Sequence, residues 1–159
     1  MNSILMSSAS TDWETPKVLF NQLNDIFKFT LDPCANASNA LLSNYITEEM
    51  DGLKVSWKGH RVFCNPPYGK RTLVLWLKKA YEESELCPII VMLIPSRTET
   101  DAFQKYACNG NVFFIDKRLH FSNSKSPATF PSALVFFNTE PIPLDIGLKG
   151  VWMRKISDI

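Results

Sequence analysis

Histidine is nearly missing from this chain, with only His60 and His120 among 159 residues. The four cysteines, Cys34, Cys64, Cys87 and Cys108, never fall at Cys-x-x-Cys spacing. That scarcity argues against a zinc site, which draws on clustered cysteine and histidine, so no metal is expected. An excess of one charge is missing too. Seventeen basic residues against 16 acidic ones leave +1, a balance that neither demands nor forbids a nucleic-acid partner. No apolar run is long enough to span a membrane; the longest, Ile89 to Ile94, lies between Pro88 and Pro95. Residues 1–10 lack a basic start and a long apolar stretch, so they read as a flexible, Ser-rich tail and not as a signal peptide. The thiols are then expected to be reduced, in a cytoplasmic protein. No internal repeat or low-complexity segment is present. The length suits one hydrophobic core, so residues 11–159 are expected to form a single compact domain.

Local signals divide the chain into alternating elements. Thr15 and Pro16 read as the cap and first turn of a helix reaching about Phe27, with Leu19, Phe20, Leu23, Ile26 and Phe27 on one face. Lys28 to Leu31 reads as a short strand that ends in Asp32-Pro33-Cys34-Ala35, and 36–51 as an irregular polar loop. Val62-Phe63-Cys64 is a second strand. Leu73 to Glu85 is a helix with Leu73, Trp76, Leu77, Ala80 and Tyr81 on its apolar face. Ile89 to Ile94 is a buried central strand, followed by a short helix over Thr100 to Cys108 and strands at 112–115 and 133–137. Residues 117–129 form the longest loop, and 150–156 an edge strand. Strands alternating with helices predict an α/β fold with a mostly parallel central sheet and helices on both faces. Such sheets bind ligands beyond the carboxyl ends of their strands, where Asp32, Asn65 and Pro95 converge.

Asn65-Pro66-Pro67-Tyr68 stands out among these strand ends. Two prolines can continue neither a sheet ladder nor a helix, so the chain turns out as a rigid corner. The corner offers an amide side chain, the Pro66 carbonyl and an aromatic ring, a set suited to a planar amine. Basic residues group at Lys70-Arg71 on the loop that follows and between Lys117 and Lys125. Each of these groups is equally consistent with a solvated face.

More than the tetrapeptide is present. In order along the chain come Trp13-Glu14-Thr15-Pro16, Leu31-Asp32-Pro33-Cys34-Ala35, Asp51-Gly52-Leu53 with Trp57, Phe63-Cys64-Asn65-Pro66-Pro67-Tyr68, Met92-Leu93-Ile94-Pro95, Arg118-Leu119-His120-Phe121 and Phe130-Pro131-Ser132-Ala133-Leu134. This series resembles the phage-type DNA adenine-N6 methyltransferases (Dam-like), over roughly residues 11 to 138. The resemblance implies a Rossmann-like class I methyltransferase fold and S-adenosylmethionine as methyl donor. It implies DNA as partner and a phage or prophage protein acting in the host cytoplasm, as monomer or homodimer. By the same resemblance Asp32, Pro33 and Ala35 match the first cofactor motif, although the usual Gly-x-Gly is absent. Asp51 matches the carboxylate that meets the donor's adenine. Trp13, Thr15 and Pro16 match the segment around its methionine part, and Asn65 borders both ligands. Asn65, Pro66, Pro67 and Tyr68 match the catalytic motif. Phe121 or Phe130 matches the aromatic that clamps the target base, and the sequence does not choose between them.

The chemistry suits these residue types. An exocyclic amine on adenine is a poor nucleophile because its lone pair is delocalised into the ring. Two acceptors aimed at its two N–H groups favour the tetrahedral geometry of attack and stabilise the positive charge developing on nitrogen. Asn65 and the Pro66 carbonyl supply them, and Tyr68 stacks on the ring. The methylated amine sheds its proton readily, so a neutral asparagine suffices. A base within a duplex must be flipped out first, and Lys70, Arg71, Arg118 and Lys125 are the expected phosphate contacts. A chain of this length has no room for a separate target-recognition domain. Transfer to RNA adenine or to a protein glutamine, and a non-catalytic binder of DNA or cofactor, remain as alternatives.

Overall fold

The computed structural model describes residues 12–156. The expected N-terminal tail, 1–10, lies outside them. The elements are α1 (Lys17–Phe27), β1 (Arg61–Cys64), α2 (Lys70–Glu83), β2 (Ile89–Pro95), α3 (Asp101–Lys105), β3 (Asn111–Ile115), β4 (Ser132–Asn138) and β5 (Gly150–Met153). Short 3-10 turns follow α2 and α3.

The five strands lie in the order β1-β2-β4-β3-β5. The sheet is mixed, which corrects the expectation of a mostly parallel one. Only β1 and β2 pair in parallel; β2–β4, β4–β3 and β3–β5 are antiparallel. The physical reason is an insertion. Both β2 and β3 run antiparallel to β4, so they run the same way as each other and as β1. The reversed strand β4 sits between them and converts a parallel neighbourhood into two antiparallel ladders. The strand expected at 28–31 is reduced to isolated bridges, Leu31 with Val62 and Asp32 with Tyr45, both parallel. The edge strand at the chain's end is present as β5.

Strand alternation gives the sheet two apolar faces. Ile90, Met92 and Ile94 of β2 pack with Leu73, Trp76, Leu77 and Ala80 of α2 and with Ala102 and Phe103 of α3. Val91 and Leu93 face the other way, onto Leu19, Phe20, Leu23 and Phe27 of α1. Helices therefore cover both faces, as expected. Every residue of β2 is buried, which accounts for its unbroken apolar sequence. The helix faces are narrower than their patterns suggested, since Ile26 is 37% and Tyr81 44% exposed.

Two starts differ from expectation. Pro16 is the cap residue of α1, and no side chain caps that helix; the Thr15 hydroxyl is used elsewhere. α2 begins at Lys70, so Lys70 and Arg71 belong to its first turn and not to a loop. The strand directions bring the carboxyl ends of β1, β2 and β3 and the start of β4 to one edge of the sheet, since Pro95 pairs with Ser132.

Behind that edge, Gly52 is packed where no side chain fits. A Cβ there would lie 2.0 Å from the Pro33 carbonyl oxygen and 2.8 Å from the Trp76 ring. Trp57, fully buried, donates its indole N–H to the Gly52 carbonyl at 2.9 Å. Gly52→Ala should therefore cost about 1–3 kcal/mol of stability, as overpacked sites do. Urea unfolding measures it, and a loss under about 0.5 kcal/mol, typical of open surface positions, would contradict this packing.

Candidate active site

The corner after β1 is built as a hydrogen-bonded knot. Asn65 Nδ2 donates to the Trp13 carbonyl and to Thr15 Oγ1, the latter at 3.0 Å. Tyr68 is buried at 3% exposure; its hydroxyl lies 2.7 Å from Asn65 Oδ1 and 3.1 Å from the Leu93 carbonyl. With one proton, the hydroxyl donates to one of these at a time. Burial raises the Tyr68 hydroxyl well above the usual phenol range, so it remains a neutral donor. The Pro66 carbonyl accepts no hydrogen bond among the described residues.

An aromatic cluster lies over the corner. Trp13 meets Phe121 and Phe130, each at 5.3 Å between centroids, and Tyr68 meets Phe130 at 5.8 Å and Phe121 at 6.2 Å, edge-on. Phe121 is fully buried, whereas Phe130 is half-buried. Arg97, exposed just past β2, places its guanidinium 5.6 Å from the Phe130 centroid and has no ion pair among the described residues. Sequence reasoning passed over Arg97, because a lone arginine at a turn carries no pattern. Its place at the carboxyl end of the central strand was the available signal.

The strap formed by residues 12–16 is pinned to the loop that follows β3. Ser122 N–H donates to the Glu14 carbonyl at 2.9 Å, and Glu14 N–H to Asn123 Oδ1 at 3.0 Å. Asn123 Nδ2 donates to the Asp12 carbonyl at 2.9 Å, and Ser122 Oγ to the Thr15 carbonyl at 3.0 Å.

Two further turns near β1 each carry a carboxylate. Asp32 is 8% exposed and accepts the Cys34 N–H at 3.0 Å. Burial outweighs that bond and raises its pKa from 3.8 to about 6. The Cys34 thiol is pushed up to about 12, by burial first and then by nearby carboxylates, Asp32 foremost. Asp51 takes a left-handed backbone, φ 62°, and accepts the Leu53 N–H at 3.0 Å. The contact of Gly52 with Pro33 sets the Asp51 turn against the Asp32 turn, and the Phe63 N–H bond to the Leu31 carbonyl, 3.1 Å, sets both beside β1. Trp13, Thr15, Asn65, Tyr68, Phe121 and Phe130 thus gather in one cluster, and Asp32, Pro33 and Asp51 in an adjoining one. Lys70, Arg71, Arg118 and Lys125 are exposed.

Comparison with known proteins decides the family. A family model described as DNA N-6-adenine-methyltransferase (Dam) matches residues 2–140. The chain belongs to that family. Two phage relatives of this Dam-family chain carry the name DNA N-6-adenine-methyltransferase. The one from Haemophilus phage HP1 is 30% identical over 119 residues, covering 72% of this chain and 68% of that protein. The one from Escherichia phage T1 is 32% identical over 110 residues, covering 67% of this chain and 45% of that protein. A solved structure from Pyrococcus horikoshii, titled provisionally as an RNA methyltransferase, overlays 60% of the Dam-family chain and 50% of its own. Its TM-score is 0.42 and its identity 16%.

The buried carboxylate yields a prediction. Raised above its unfolded value, Asp32 adds stability that is present in acid and lost as pH rises through about 6. At pH 7.5 the ionised group therefore costs about 2–3 kcal/mol, and Asp32→Asn should recover most of it. Near pH 4 the two proteins should unfold at nearly equal urea concentrations. A gain of the same size at both pH values would contradict the buried, raised carboxyl.

Proposed function

We propose that this chain transfers a methyl group from S-adenosylmethionine to N6 of adenine in DNA. The observation that carries the reading is the acceptor pair at the corner. Both Asn65 amide hydrogens are committed to the strap, so Oδ1 turns away from it, and the Pro66 carbonyl nearby has no donor among the described residues. Two acceptors with spare lone pairs match the two N–H groups of an adenine amine.

The adjoining cluster suits the methyl donor. S-adenosylmethionine carries a sulfonium and an ammonium, and a buried carboxylate with a raised pKa gains from a cationic neighbour. We assign Asp32, Pro33, Ala35 and Asp51, with Trp13, Thr15 and Pro16, to that ligand. When bound, it supplies an electrophilic methyl group on a good leaving group. Asn65 Oδ1 and the Pro66 carbonyl hold the amine in line, so that the N–C bond forms as the C–S bond breaks. The extra proton on nitrogen then passes to solvent. Tyr68 donates to Oδ1 or to the Leu93 carbonyl, and a shift to the latter leaves Oδ1 fully available to the amine.

The aromatic cluster suits base capture. A flipped base stacks on Tyr68 once Trp13 and Phe130 give way, and Phe130 is assigned as the clamp because it is half-buried, whereas Phe121 belongs to the core. Lys70 and Arg71 sit in the first turn of α2, where no acidic residue accompanies them. Two cations at the positive end of a helix dipole are unfavourable alone and fit an incoming phosphate. We assign Arg118, Lys125 and Arg97, all exposed, to phosphate contacts as well. The arrangement, with β1, β2 and β3 codirectional and β4 reversed between the latter two, fits a Rossmann-like class I methyltransferase.

The test is transfer of label from S-adenosylmethionine to duplex DNA, RNA and protein in parallel. Label should appear in DNA, as N6-methyladenine on digestion; label confined to RNA or protein would contradict the reading. Asn65→Ala should abolish transfer, at least about 100-fold, with cofactor affinity nearly unchanged. A parallel loss of cofactor binding would show that Asn65 serves the donor and not the target amine.

A further inference from the structure

An asparagine at the reacting centre poses a problem that an aspartate does not. One arm of its amide accepts and the other donates, and a half-turn about the Cβ–Cγ bond exchanges them. With Oδ1 towards the adenine amine, Asn65 takes one of its N–H groups. With Nδ2 there, donor faces donor and the acceptor pair is lost.

One group on the strap settles the orientation, and a second holds it there. A backbone carbonyl has no proton to give, so only Nδ2 can face the Trp13 carbonyl. The second Nδ2 hydrogen goes to Thr15 Oγ1 at 3.0 Å. Thr15 is buried at 9% exposure, and its hydroxyl does not cap α1, the role its place before Pro16 suggested. Its backbone is held in turn by Ser122 Oγ, which donates to the Thr15 carbonyl. Oδ1 is left on the side of the Tyr68 hydroxyl.

Resting on the adenine-methylation reading, we propose that Thr15, together with the Trp13 carbonyl, is a positioning residue that locks the Asn65 amide with Oδ1 towards the target amine. The strap at 12–16 is thereby part of the target-amine site as well as a neighbour of the donor. An aspartate at 65 presents an oxygen whichever way it turns, and needs no such lock.

The experiment is steady-state methylation of duplex DNA by the full chain as wild type, Thr15→Val, Thr15→Ser, Asn65→Asp and the Thr15→Val/Asn65→Asp pair. Thr15→Val keeps the shape and removes the hydroxyl. Its kcat should fall on the order of 10- to 100-fold, the scale of a misplaced reacting group. The KM for DNA should stay within about threefold, because the loss lies in the transition state. Thr15→Ser should restore kcat. In the Asn65→Asp background the same valine substitution should cost less than about threefold, a non-additivity that direct coupling produces. Equal losses in both backgrounds would overturn the proposal, as would a loss of cofactor affinity with kcat retained. If Asn65→Asp alone is inactive, the serine variant decides, and its failure to recover overturns the proposal. A wild type active on DNA with Thr15→Val unimpaired refutes this inference alone. A wild type that methylates no DNA refutes the adenine reading with it.

Discussion

The Asn65 side chain is the joint on which the site depends. Its nitrogen is committed to the strap and its oxygen to the Tyr68 side. That division links three segments far apart in sequence: the strap before α1, the corner after β1, and the β2 carbonyl of Leu93 that shares the Tyr68 proton. The loop after β3 joins through Ser122 and Asn123. On the proposed reading, a neutral amide with fixed polarity does what a carboxylate would do without orientation.

Several groups assigned to the site are held at a cost to the fold. Asp32 is buried where its charge is disfavoured, and the turn at Asp51 adopts a left-handed backbone. Lys70 and Arg71 occupy the wrong end of a helix dipole. Each departs from the locally stable choice; on the proposed reading a cationic donor compensates the carboxylate and phosphates compensate the bases. Such local conflicts gather at functional sites.

Much of this was legible in the sequence because it is local. Two prolines after an apolar run define the Asn65 corner wherever they occur, and the apolar run from Ile89 could only be a buried strand. The direction of β4 was not legible. A run such as Ala133 to Phe137 carries its alternation equally well in either direction, and the neighbours of β4 are chosen by the whole sheet. The Thr15 hydroxyl was read as a helix cap because the cap pattern is local, while its partner Asn65 lies 50 positions away. The proposed assignment of Phe130 over Phe121 rests on burial, which sequence spacing does not supply. Arg97 gains meaning only from the ring it covers.

The most direct test of the central claim is a crystal structure of the full chain with duplex DNA and the demethylated cofactor, S-adenosylhomocysteine. The account predicts an extruded adenine whose N6 lies within about 3.2 Å of both Asn65 Oδ1 and the Pro66 carbonyl, hydrogen-bond distance for each. Asn65 Nδ2 should remain on the Trp13 carbonyl. An adenine held by other groups, or an Asn65 that turns Nδ2 towards the base, would contradict it.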